Sequence, residues 1–227
     1  MVRTQRTTGD GLRERSGPLR LFLLRAHAKA HGVTGRAIVA YLLVWLGIAV
    51  TARYRLSAFG LNVAPAGTSP LDTVAILTTL VPAGVIARCL RSRLDCFEVT
   101  RSRRRQPGQV LWVAAVCLLA TTSPLLITPV LQAQINRAAF LAAWMIVLGT
   151  YLLAAAVTPA AAAFAATLLV VILFSSPGLI LWEHNVLYNV QLRGISASVG
   201  AALLCAAVLT TTLVRRTEPL ANHGLPS

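Results

Sequence analysis

"AAFLAAWMIVLGTYLLAAAVTPAAAAFAATLLVVILFSSPGLILW", residues 138–182, runs for 45 residues without one aspartate, glutamate, lysine, arginine or histidine. As a single straight helix at ~1.5 Å per residue it would measure ~67 Å, against a bilayer hydrocarbon core of ~30 Å. The chain must therefore turn inside it. The place is "VTPA", residues 157–160, where Pro159 cannot donate to the helical ladder and biases Thr158 away from helix. Two apolar helices, 138–157 and 160–182, follow from that one proline.

Four more apolar runs flank this pair: 37–52, 71–87, 110–131 and 195–214. Each approaches the roughly 17–25 residues that a membrane-spanning helix needs. The first is short, with Arg36 and Arg53 placed to snorkel toward headgroups. Of the 227 residues, 56% are hydrophobic and only 12% charged. A soluble domain carries roughly 25% charged residues, so lipid rather than water is the expected solvent. The expected fold is all-α, an integral membrane protein of six transmembrane helices spanning residues 36–216. A basic tail (1–35) precedes them and a short tail (217–227) follows.

The cations set the orientation. Of 20 arginines and one lysine, 17 lie before the first run, between the second and third, or after the last. Only Arg53, Arg55, Arg137 and Arg193 fall in the alternate connections. The positive-inside rule then places both termini and the 88–109 loop in the cytoplasm. The formal charge of +14 would suggest nucleic acid in a soluble protein, but here topology and anionic lipid account for it, and no nucleic-acid partner is expected. The only early apolar run, "LFLL" at 21–24, is too short for a signal-peptide core. Residues 18–31 read equally as an interfacial helix or a basic tail.

Chemistry is sparse. The four cysteines (Cys89, Cys96, Cys117, Cys205) form no CxxC pair, which indicates neither a metal site nor a disulfide framework. HExxH, Gly-x-Ser-x-Gly and paired glutamates are absent, and no P-loop surrounds the single lysine, Lys29. The chain does not read as an enzyme, and no cofactor is implied. Asp72 is the one acid at a span edge; "SPLD" reads as a helix start, with Ser69 as N-cap, Pro70 first and Asp72 third.

Three features bear on a substrate path. Pro124 and Pro129 interrupt the third run, where they kink a helix either around a cavity or for packing alone. "AAAVTPAAAAFAA", 154–166, offers small residues for close approach of the fourth and fifth helices. "SSPGLILWEHNVLYNVQLRG", 175–194, carries Trp182 and Tyr188 at interface level beside Glu183 and His184. It reads as a short helical loop anchored by aromatics, or as a re-entrant element forming an outer gate.

The layout resembles the type 2 ABC exporter permeases (ABC-2 family). A basic segment precedes six spans, a charged loop separates the second and third, the fourth and fifth are tightly joined, and a longer outer segment precedes the sixth. The likeness in layout covers residues 18–216. At motif level it is confined to "LDCFEVTRSRRRQPGQVLW", 94–112, where Glu98, Arg101, Pro107 and Gln109 match the family's glutamate, polar residues and proline entering span three. The chain lacks the family's frequent run of glutamates after span two. The resemblance implies a permease subunit of an ATP-driven exporter, moving an apolar or amphipathic substrate such as an antibiotic, peptide or lipid across the cytoplasmic membrane. It implies dimerisation with itself or a similar permease. It also implies a separate ABC-type ATPase, engaged by a coupling helix at Asp95, Glu98 and Arg101. Arg91 with Asp95 and Glu98 with Arg101 are also spaced to pair on such a helix, at only ~0.2–0.5 kcal/mol each. "RSRRR", 101–105, serves topology and lipid. The alternative is a non-transporting membrane interaction or assembly protein.

Overall fold

The computed structural model describes residues 33–90, apart from 62, 63, 67 and 69, and residues 106–221. The segment expected as an interfacial helix (18–31), Ser69, and the coupling candidates Asp95, Glu98 and Arg101 lie outside the described residues.

The described chain is all α-helical, with six main helices: α1 (Gly35–Thr51), α2 (Ala75–Leu90), α3 (Gln106–Thr122), α4 (Arg137–Val157), α5 (Ala160–Ser175) and α6 (Arg193–Ala221). By length and composition α4 and the Val190–Thr211 stretch running into α6 can cross a membrane, while the other four are shorter apolar helices.

Local chemistry sets the boundaries. Thr34 caps α1 by accepting from the Ala37 N–H at 3.2 Å, and Asn136 caps α4 by accepting from Ala139 at 3.0 Å. Pro159 separates α4 from α5, whose ends are Val157 and Ala160. The ring of Pro82 would crowd the Thr78 carbonyl and supplies no N–H to it, and α2 breaks there into Ala75–Thr78 and Leu80–Leu90.

Three expectations are corrected. The third run does not continue as a kinked helix to Leu131: α3 stops at Thr122, and Pro124 sits in a 3₁₀ turn, Ser123–Leu126, that ends it. α5 stops at Ser175 rather than Trp182, because the Pro177–Gly178 pair follows, with Gly178 at φ 80° in the left-handed region. "SPLD" does not start α2. Pro70 forms an isolated antiparallel bridge with Asn189, and the helix begins at Ala75, whose N–H donates to the Thr73 hydroxyl. The Asp72 carboxylate instead accepts from the backbone N–H of Ser57 at 2.9 Å and from the Ser57 hydroxyl, so it organises the turn Ser57–Phe59 after α1.

α4 is the central helix, with Phe140, Trp144, Leu148, Tyr151 and Leu152 all buried, and it packs most extensively against α6. A β-carbon at Gly149 would lie 2.7 Å from Leu203 Cβ, and one at Gly200 would lie 2.7 Å from Met145 Cβ. Advancing along α4 from Met145 to Gly149 thus advances along α6 from Gly200 to Leu203, so the two helices run parallel. With α5 joining them, the chain alternates in direction. The tight glycine contact is between α4 and α6 and does not involve the alanine-rich turn between α4 and α5.

Candidate functional site

Pro124 has a consequence inside the bundle. Without an N–H it cannot serve the carbonyl of Ala120, four residues back. Two side chains take its place: the Ser123 hydroxyl donates to that oxygen at 2.7 Å and the Trp144 indole N–H at 2.9 Å. The Tyr41 hydroxyl in turn donates to Ser123 Oγ at 2.9 Å. Trp45 stands edge-on to Trp144 with ring centroids 5.2 Å apart, and to Tyr41 at 6.3 Å. One freed carbonyl therefore ties α1, α3 and α4 together. Trp144→Phe removes the donor and also shrinks a fully buried ring, which together are expected to cost about 2–4 kcal/mol. Adding Ser123→Ala leaves the buried carbonyl with neither donor, and the pair is expected to lose more than the sum of the singles. Thermal unfolding of the purified protein in detergent measures both.

The three connections α1–α2, α3–α4 and α5–α6 are joined at one end. The Leu71 N–H donates to the Tyr188 carbonyl at 2.7 Å, and Arg55 Nη2 donates to Gln134 Oε1 at 2.8 Å. The α5–α6 connection, residues 176–192, contains no α-helix. It holds only two three-residue 3₁₀ turns, Trp182–His184 and Val190–Leu192. Buried asparagines shape it: Asn185 donates to the Phe174 carbonyl at 2.8 Å and accepts from the Tyr188 N–H at 3.1 Å. Asn189 donates to the Trp182 carbonyl at 3.0 Å and accepts from Gln191 at 3.0 Å. Their amides replace the ladder that a helix would have supplied.

The first half of this segment forms most of a groove of about 200 Å³, lined among others by Pro65, Phe174, Pro177, Leu181, Trp182 and Asn185. The wall hydroxyls of Ser175 and Ser176 both donate to the Ile172 carbonyl at 2.9 Å. What the groove offers is an apolar recess with acceptor oxygens and no acid–base or nucleophilic pair. Among the described residues, no three histidine, cysteine, aspartate or glutamate side chains gather as metal ligands.

Of the five substrate-path or outer-gate candidates only Trp182 lines this groove. Glu183 and His184 are exposed on the same turn, Pro124 is buried at the end of α3, and Pro129 is exposed in the α3–α4 connection. Tyr188, expected at interface level, is fully buried instead, and burial pushes its phenol well up, with the nearby Ser175 hydroxyl acting the other way. Sequence reasoning missed Asn185, Asn189 and Leu71. The visible signal was two asparagines four residues apart in an otherwise apolar stretch, since an asparagine there must find partners for its amide.

Comparison with known proteins found no matching family model, no similar curated protein and no similar solved structure.

Proposed function

We propose that the chain crosses the cytoplasmic membrane six times with both termini inside, and that it is the permease subunit of an ATP-driven exporter of apolar or amphipathic molecules. The observation that carries the reading is an agreement between charge and topology. The three connections tied together at one end of the bundle hold four of the 21 cations, and the segments that leave the other end hold the rest. Helices such as α1, with 17 residues, reach ~26 Å, and flanking arginines can bridge the remaining mismatch to a ~30 Å core. Among the described residues the interior of the bundle is mostly apolar and all but three of its buried side-chain polar atoms are engaged locally, which suits an uncharged substrate rather than an ion. Power must come from a separate ATPase, because the chain has no P-loop of its own.

Co-purification tests this proposal. The tagged full-length chain, extracted in a mild detergent from its native membrane, is expected to retain a chain with ATPase activity. Recovery of a partner without that activity would favour the interaction-protein alternative, and recovery of the chain alone would remove the transporter reading.

A further inference from the structure

The positive-inside rule works against cations in outer connections, so the four that remain there need a reason. Three of them fall close together. Arg53 lies two residues past the end of α1, Arg55 two residues further on, and Arg137 is the first residue of α4. Arg55 Nη2 donates to Gln134 Oε1 at 2.8 Å, and Gln134 precedes Arg137 by three residues, which puts the Cα atoms of Gln134 and Arg137 within about 11 Å. All three arginines are exposed. The two connections that they bracket, 52–74 and 123–136, hold one acid, Asp72, and its carboxylate is already bonded to the N–H and hydroxyl of Ser57. Apolar surface reaches the same place. Leu43, Leu46 and Val50 lie along an exposed face of α1, and two short turns, Arg53 N–H to the Val50 carbonyl and Tyr54 N–H to that of Thr51, carry the chain on to Tyr54, itself 58% exposed between two arginines. Phe59 is 68% exposed on a turn that holds it outward, since Asp72 fixes its start, Gly60 closes it at φ 72° and Leu56 occupies the core position beneath it.

From this arrangement we infer that the α1–α2 and α3–α4 connections together form a docking surface for an anionic phospholipid of the outer leaflet, its phosphate on Arg53, Arg55 and Arg137 and its acyl chains along α1. The inference rests on the six-span reading, which sets these arginines at headgroup depth because they stand at the ends of α1 and α4. Arg55 uses one of its five N–H donors on a neutral amide, leaving four for phosphate oxygens. The charge is uncompensated just where the apolar face of α1 ends, and an anionic lipid complements both in one molecule. Its phosphodiester answers the arginines and its hydrocarbon covers Leu46 and Val50. A soluble anion would meet only the first need, and an apolar partner helix only the second. Each arginine held near an anionic headgroup is worth about fivefold in affinity.

The test uses the purified full chain in phosphatidylcholine vesicles, with Cys89, Cys96, Cys117 and Cys205 replaced by alanine. A fluorophore is attached at Phe59→Cys, beside the arginines, or at Leu43→Cys, in the middle of α1, as control. Nitroxide-bearing phosphatidylglycerol and phosphatidylcholine are titrated in separately, with the nitroxide near the headgroup for position 59 and near the chain end for position 43. Quenching then gives a relative association constant for each lipid. At position 59 phosphatidylglycerol is expected to be preferred about fivefold or more, and at position 43 both lipids are expected to quench. Arg53→Gln, Arg55→Gln and Arg137→Gln combined are expected to bring the preference below about twofold, and Arg137→Gln alone to lower it should the triple variant fail to accumulate. Gln134→Ala cuts the tie to Arg55 but keeps every cation, and Arg104→Gln removes one from the opposite side; both are expected to leave the preference in place. Quenching at position 43 with no lipid preference at 59 overturns the docking surface and leaves the six spans standing. So does a reporter at 59 that neither lipid quenches, which would put these connections in water and open to a soluble partner. Absence of quenching at position 43 overturns the six-span reading, and the surface with it.

Discussion

Gly149→Leu is expected to abolish accumulation of folded protein, and Gly149→Ala to lower the midpoint of thermal unfolding by roughly 2–12 °C. At this position a β-carbon meets Leu203 Cβ at 2.7 Å and the backbone nitrogen of Leu204 at 3.1 Å. The reciprocal site is built the same way, with Gly200 against Met145 Cβ at 2.7 Å and the Ile146 nitrogen at 3.1 Å. Neither clash can be relieved by turning a side chain, because the opposing atoms are β-carbons and backbone. The helices must separate, and separating the most extensively packed pair in the bundle loses dispersion contacts along its whole length. Overpacking by one methyl typically costs 1–3 kcal/mol, which at ~2–4 °C per kcal/mol for a chain of this size gives the shift stated. The control is Gly47→Ala in the middle of α1, where a β-carbon meets nothing within 4 Å. That change is expected to be neutral or to stabilise by up to about 1 kcal/mol through helix propensity. Equal midpoints for Gly149→Ala and Gly47→Ala would show that α4 and α6 do not cross as described.

The features legible in the sequence are those written in one segment. Pro159 inside a 45-residue apolar run dictated a turn, and the turn is there between Val157 and Ala160. Apolar run length was a poorer guide to helix length. The third run stays hydrophobic through Leu131, yet the helix ends at Thr122, since hydropathy takes no account of the N–H groups that Pro124 and Pro129 lack. The fifth run overshoots past Pro177–Gly178 for the same reason. Long-range partnerships were out of reach. Asp72 looks like a helix-start residue until Ser57, fifteen positions earlier, is brought beside it. Gly149 and Gly200 are two glycines among 15, and only the crossing gives them their role. Tyr188 was assigned to the interface because aromatics near span ends usually serve there, whereas the two neighbouring asparagines fold its segment inward and bury it. Within the candidate site, Trp182 was legible only as an aromatic suited to the membrane interface. Its unpaired indole N–H could only be seen in three dimensions.

Glu98→Ala is expected to leave insertion and topology unchanged while reducing both export and the ATPase retained on the tagged chain by at least tenfold. The seven arginines between the second and third apolar runs far exceed what orientation requires, and removing a carboxylate only makes that loop more positive. Topology therefore has no use for Glu98. Intrahelical pairing with Arg101 does not account for it either, at ~0.2–0.5 kcal/mol. Contact with a cytoplasmic partner is a different case, because truncating one member of a desolvated charge pair strands the other and costs about 2–5 kcal/mol, or roughly 30-fold to several thousand-fold in affinity. Glu98→Gln separates charge from shape: if the partner presents a cation, glutamine is expected to be nearly as damaging as alanine. Arg104→Ala, in the run assigned to topology, is expected to change retention less than threefold. Full retention and export by Glu98→Ala, with correct labelling of position 183 from outside, would discard the coupling role and leave the six-span topology standing. Loss of insertion would show instead that the loop's acids help to build the fold.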